Sequence, residues 1–240
     1  MPLPTIATPS YELKLPSNGK KIKYRPFLVK EEKILIIALE SRDQSEITNA
    51  VKDVLKKCII TRGVKVDDLP TFDIEYIFLN IRAKSIGEDI RLVITCPDDN
   101  ETEVPVIIYV DEINVNKSKD HKTDIILDKN LSLRMKYPSL NQFIESNFET
   151  DESDLVVDKT FKLVADCIDT IYNEEEAWEA KDYSPQERLD FIEQLNSKQY
   201  KEVEKFFATM PKLSHTIEVT NPNTKVKSSV VLEGLADFFG

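Results

Sequence analysis

The residues able to do covalent or metal chemistry in this chain are few and scattered. Three cysteines, Cys58, Cys96 and Cys167, and two histidines, His121 and His215, are spread along 240 residues. A nucleophilic Cys–His pair needs its side chains within hydrogen-bond reach, each oriented by a neighbour, and nothing local to any of the cysteines supplies that partner. A structural zinc site needs four ligands, usually in closely spaced Cys or His pairs, and no two of these five residues lie within five positions of each other. An odd set of well-separated cysteines gives no disulfide framework and fits a reducing compartment. Cys58 and Cys167 read as small apolar residues on buried helix faces.

The acids are numerous, so carboxylates meet by chance. The runs Asp67-Asp68, Asp98-Asp99 and Glu174-Glu175-Glu176 fall in turns or connections, where solvent keeps both members ionised and leaves neither as a general acid. Asp98-Asp99-Asn100-Glu101 could coordinate calcium weakly, but it lacks the twelve-residue ligand spacing and central Gly of an EF-hand. GxSxG, HExxH, P-loop and GxGxxG patterns are all missing, and 5 glycines leave little material for a phosphate cradle. Acidic residues number 43 and basic residues 32, a net charge of −11. That opposes binding to nucleic-acid phosphates or an anionic membrane, and the basic spot at Arg25, Lys30 and Lys33 is too small for a nucleic-acid stripe. No apolar run approaches the roughly 18 residues of a membrane span, and Met1-Pro2-Leu3-Pro4 has no signal-peptide character. The expectation is no catalytic residue, no metal and no cofactor.

The elements that position these residues alternate between two periods. Tyr11, Leu13 and Leu15 lead into Pro16-Ser17-Asn18-Gly19, and Ile22 and Tyr24 lead out, an opening hairpin turned by Asn-Gly. Lys30 to Ser41 holds the block Ile34-Leu35-Ile36-Ile37-Ala38-Leu39, which predicts a helix buried on most sides. Ile47, Val51, Val54, Leu55 and Cys58 mark a second helix. A third begins near Thr71 and closes at Gly87. From Asp89 to Met135 the period is two, predicting strands around Cys96-Pro97-Asp98-Asp99-Asn100 and around Asp128-Lys129-Asn130. Val157, Phe161, Val164, Ile168 and Ile171 share one predicted helix face, followed by a solvated connection at Asn173 to Glu176. Ser184-Pro185-Gln186-Glu187 is a capping box with Pro at the first helical position. A final hairpin spans Thr216 to Leu232, around Asn221-Pro222-Asn223-Thr224. The expected fold class is α+β: a mainly helical body with an N-terminal β-hairpin, an inserted small antiparallel β subdomain and a C-terminal β-hairpin. The divisions fall at 1–88, 89–136, 137–212 and 213–240.

Two segments are richer in aromatic and apolar residues than their positions require. Tyr24-Arg25-Pro26-Phe27-Leu28 joins the hairpin to the first helix. Leu235 to Gly240 ends the sequence on Phe238 and Phe239, where polar, frayed residues are usual. Such a tail docks on its own core or on a partner. Aromatics and Arg dominate binding energy at interfaces, so Tyr24, Arg25, Phe27, Leu28, Leu235, Phe238 and Phe239 are the candidate interface residues.

Thr8 to Ser41, and within it YRPFLVKEEK (Tyr24 to Lys33), resembles the start of the baseplate hub assembly proteins of T-even-type bacteriophages, with a cyanophage-like cast. LPTFDIEYIFLNIRAKSIGE (Leu69 to Glu88) and the end, Phe206-Phe207 through Met210-Pro211 and LEGLADFF, fit the same family. The resemblance implies a non-enzymatic tail protein, a subunit or assembly factor of the central hub of a contractile-tail baseplate. Its partners are other hub or tail proteins, with no nucleic acid, membrane or small-molecule substrate. It is placed in the virion baseplate and, during assembly, the host cytoplasm. Relatives often carry paired cysteines in the hairpin after the third helix and in the C-terminal one, in the manner of small zinc ribbons; here those positions hold Cys96 alone and Asn221-Pro222-Asn223. The competing readings are a transient assembly chaperone absent from the mature virion and an unrecognised Cys/His hydrolase.

Overall fold

The computed structural model describes residues 6–41, 43–140, 142 and 156–238. In chain order the strands and helices of the first half are β1 (Tyr11–Lys14), β2 (Lys21–Tyr24), α1 (Val29–Ser41), α2 (Gln44–Cys58), α3 (Thr71–Ile86), β3 (Asp89–Thr95), β4 (Glu103–Tyr109), β5 (Asn114–Asn116), β6 (Asp124–Ile126) and β7 (Ser132–Met135). Then come α4 (Val156–Asp166), β8 (Ile168–Tyr172), β9 (Ala177–Glu179), α5 (Pro185–Glu193), α6 (Ser197–Thr209), β10 (Lys212–Thr220), β11 (Lys227–Glu233) and the short α7 (Gly234–Asp237). The α+β class expected from the sequence is the class observed. Most of the helix expected from Ser139 lies outside the described residues, as do Phe239 and the side chain of Leu235.

The chain divides into two compact units. The first takes Met1–Val66, Phe72–Asn116 and Lys212–Gly240; the second takes Asp67–Thr71 and Lys117–Pro211. The stretch 89–136 therefore does not act as one insertion: its hairpin β3–β4 belongs to the first unit and β6–β7 to the second. The reason is strand pairing, since β5 joins β10 through Lys212↔Asn116 and Leu213↔Val115, while β7 pairs β8.

In the first unit β1 pairs antiparallel with β2, Tyr11 opposite Tyr24, across a turn in which Gly19 takes the positive φ of 71°. Asp43 caps α2 by accepting from the N–H groups of Ser45 and Glu46. β3 and β4 form a hairpin with Leu92 opposite Val106, and β11, β10 and β5 make a three-stranded sheet in that order. α3 is the apolar centre: Phe72, Ile74, Ile77, Phe78, Leu79 and Ile81 are all buried. A core of Leu79, Ile90, Ile108, Ile113, Leu213 and Phe238 joins α3 to both sheets.

The second unit is a four-stranded sheet, β6-β7-β8-β9, packed with α4, α5 and α6 around Leu133, Cys167, Ile168, Ile192, Val203 and Phe206. Ser184 and Glu187 form the expected capping box on α5. Ile168 and Ile171 do not continue a helix. α4 stops at Asp166, and Ile168-Asp169-Thr170-Ile171-Tyr172 runs as β8, with Thr170 opposite Glu179. The acidic stretch after it is a strand-to-strand turn: the Asn173 side chain accepts from the N–H groups of Glu175 and Glu176.

Candidate protein interface

The Tyr24–Leu28 segment works from inside the first unit. Tyr24 and Phe27 are buried, and Tyr24 bridges backbone-to-backbone with Ile59 at the end of α2. The Phe27 N–H donates to the Ser85 hydroxyl of α3 at 3.0 Å. Arg25 donates to the buried Glu31 carboxylate at 3.2 Å, and Glu31 also accepts the Leu28 N–H at 2.7 Å, closing the first turn of α1. Burial pushes the Glu31 carboxyl up, but the Arg25 hydrogen bond, the Leu28 N–H and the charges of Arg25 and Lys30 together hold it below its ordinary value. This segment therefore fixes where α1 starts and which way it points.

What α1 then presents is apolar surface. The expectation of a helix buried on most sides does not hold: among its described side chains only Glu31 and Ala38 are buried. Ile36, Ile37 and Leu39 are 49%, 55% and 46% exposed, and Leu28 and Val29 before them are exposed too. Between α1, α2 and α3 lies a depression of about 190 Å³ lined by Phe27, Leu35, Ile36, Leu39, Ile47 and Phe78. An apolar block of six consecutive residues covers more than one helix face, and this unit has enough apolar partners for one. Exposed apolar residues gathered around one depression, as Ile36 and Leu39 are, mark a binding face in soluble proteins. Of the seven candidate interface residues, Leu28 is exposed just before α1, and Phe27, itself buried, lines the depression. Tyr24, Phe27 and Phe238 are interior, and Arg25 is committed to Glu31. Sequence reasoning passed over Ile36, Ile37 and Leu39 because a block this apolar reads as core.

The residues with chemical potential divide between the units: Cys58, Cys96 and His215 belong to the first, His121 and Cys167 to the second. Cys58 and Cys167 are buried, their thiols pushed up by burial to about 11 and about 12. His121 is buried, its ring nitrogens 3.0 Å from the Thr209 and Tyr137 hydroxyls and its ring stacked on Tyr137, and burial lowers its pKa. His215 Nδ1 is 3.2 Å from the Glu112 carbonyl. Among the described residues no group of three or more His, Cys, Asp and Glu side chains is placed to hold a metal.

The tips of the β3–β4 and β10–β11 hairpins meet. Asn221 donates through Nδ2 to Asp98 at 3.1 Å and to Asp99 at 2.8 Å. Thr224 donates to Asp98, and Asn223 donates to the Thr102 hydroxyl at 3.0 Å. A zinc ribbon at these tips requires thiolates or imidazoles. The tips carry one thiol, that of Cys96, which burial and the charges of Asp98 and Asp99 keep protonated. This donor set does not fit zinc.

A family model described as T4 bacteriophage base plate protein matches residues 8–240. No curated protein and no solved structure matches the chain.

Proposed function

The chain belongs to the T4 bacteriophage base plate protein family, and from that premise we propose that it is a non-enzymatic subunit or assembly factor of the central hub of a contractile-tail baseplate. It works by surface complementarity with other hub or tail proteins. The observation that carries this is the exposed apolar face of α1, built on a start that Arg25 and Glu31 lock in place. A rigidly presented apolar helix face loses little entropy on docking, which favours association. The occupant is another baseplate protein offering an apolar surface of matching length. The three thiols are buried with their pKa values raised, and each imidazole sits within 3.2 Å of a hydrogen-bonding oxygen, which supports an absence of bond-making chemistry.

The test is a paired substitution, Ile36→Asp with Ile37→Asp, made in the phage and in the isolated protein. The expected result is a normally folded protein that fails to enter tails, seen by mass spectrometry of purified particles. Normal incorporation overturns the α1 interface. Wild-type protein present in infected-cell complexes but missing from purified tails assigns it to the assembly-factor role.

A further inference from the structure

We infer that the tips of the β3–β4 and β10–β11 hairpins form a metal-free clasp, a cage with the layout of a four-ligand ion site that is closed instead by the Asn221 side chain.

The layout is read residue by residue. The first tip runs Cys96-Pro97-Asp98-Asp99-Asn100 and the second Asn221-Pro222-Asn223-Thr224-Lys225. Each has Pro at its second position. In each, the fifth residue's N–H donates to the first residue's carbonyl, Asn100 to Cys96 and Lys225 to Asn221, both at 2.9 Å. Each fifth residue takes a positive φ, 56° at Asn100 and 64° at Lys225. The first residue of each tip is buried, Cys96 at 0% and Asn221 at 1% exposure. Two copies of one turn thus face each other, and their first and fourth positions, Cys96, Asp99, Asn221 and Thr224, are the places from which a paired-turn site supplies ligands.

The chemistry at those places is wrong for a zinc ion and right for hydrogen bonds. The Asn221 side-chain oxygen, Oδ1, accepts the N–H groups of Asn223 and Thr224, at 2.8 and 3.3 Å. That fixes the amide orientation, so its Nδ2 points across the gap, where it meets the carboxylates of Asp98 and Asp99. An amide N–H₂ donates and does not ligate. Hydrogen bonds to a carboxylate are charge-assisted, about twice as strong as neutral ones. Asp99 is also held by the Thr102 hydroxyl and the N–H groups of Thr102 and Glu101.

The full chain decides the matter by three measurements. Purified wild-type protein is expected to carry negligible zinc, and its melting temperature is expected to be unchanged by EDTA or added zinc. Asn221→Ala is expected to lower the melting temperature by about 3–6 °C. Asp99→Cys, Asn221→Cys and Thr224→Cys together, with Cys96 native, are expected to bind about one Co²⁺ per chain with a thiolate charge-transfer band. Near-stoichiometric zinc in wild-type protein, a fall in its melting temperature with EDTA, or an unchanged Asn221→Ala variant overturns the clasp. A folded triple variant that takes up no cobalt overturns the layout. The wild-type and Asn221→Ala results stand whether or not the triple variant folds.

Discussion

α1 and α3 are neighbours in one unit, comparably apolar in sequence and opposite in fate. α3 buries Phe72, Ile74, Ile77, Phe78, Leu79 and Ile81, whereas α1 leaves Ile36, Ile37 and Leu39 in solvent. The β3–β4 hairpin, the β11-β10-β5 sheet and Phe238 close over α3; among the described residues the first unit has no comparable layer for α1. Hydrophobic content therefore states how much surface must leave water, and topology decides whether the same chain can remove it. Where it cannot, the remainder is available for association.

The sharpest way to break this contrast is truncation in the two helices. Leu79→Ala in α3 removes a fully buried side chain and is expected to cost about 2–5 kcal/mol in urea unfolding. Leu39→Ala in α1 is expected to change stability by about 0.5 kcal/mol or less. Equal losses would mean that the α1 face is core after all.

A smaller effect tests how α1 is held. Arg25→Ala strips the buried Glu31 carboxylate of the nearer of its two cations, leaving Lys30 Nζ at 3.7 Å, and is expected to cost about 1–3 kcal/mol, below the range for a fully buried pair because Arg25 is partly exposed. An amide-exchange measurement is expected to show loss of protection confined first to α1. If α3 loosens equally, the Arg25–Glu31 pair supports the whole unit.

The smallest effect is a difference in pH response, because each helix carries one buried acid, shifted in opposite directions. Glu31 in α1 sits below its ordinary value of 4.5. Its contribution is present above that value and is lost as pH falls through the folded value. Asp73 in α3 sits above its ordinary value of 3.8, raised by burial and partly offset by hydrogen bonds from the Ser17 hydroxyl and N–H. Its contribution is full below 3.8 and is lost as pH rises through the folded value. Glu31→Gln is therefore expected to flatten the acid limb of stability below about pH 4.5, while Asp73→Asn flattens the opposing slope just above about pH 4. Chemical denaturation from pH 3 to 7 reads both, and slopes of the same sign would contradict the assigned environments.

Local chemistry was legible in the sequence wherever it decides the backbone alone. Asn18-Gly19 specified the first hairpin, Ser184 and Glu187 the start of α5, and Gly87 the end of α3. β8 was hidden because Ile168 and Ile171 keep a three-residue spacing that suits a helix, and only the β-branched run with its Asn173 turn argues for a strand. The interface was misplaced by one segment for a related reason. Tyr24 and Phe27 have the residue types of binding anchors, but Ser85 and Ile59, distant in sequence, draw their backbones inward. The clasp was half visible: both tips had the same turn chemistry, but their meeting depends on how two hairpins pack.

The path of the chain carries a consequence for synthesis. β10 and β11 emerge from the ribosome after the whole of 117–211, yet they supply the strand that β5 needs and the Phe238 that the first core needs. The opening residues must wait, incompletely folded and with α1 uncovered, until β10 and β11 have been made, while the intervening stretch is free to settle on its own. A nascent product halted before Lys212 would thus expose two apolar surfaces instead of one, the α1 face and the open first core, and be prone to aggregate.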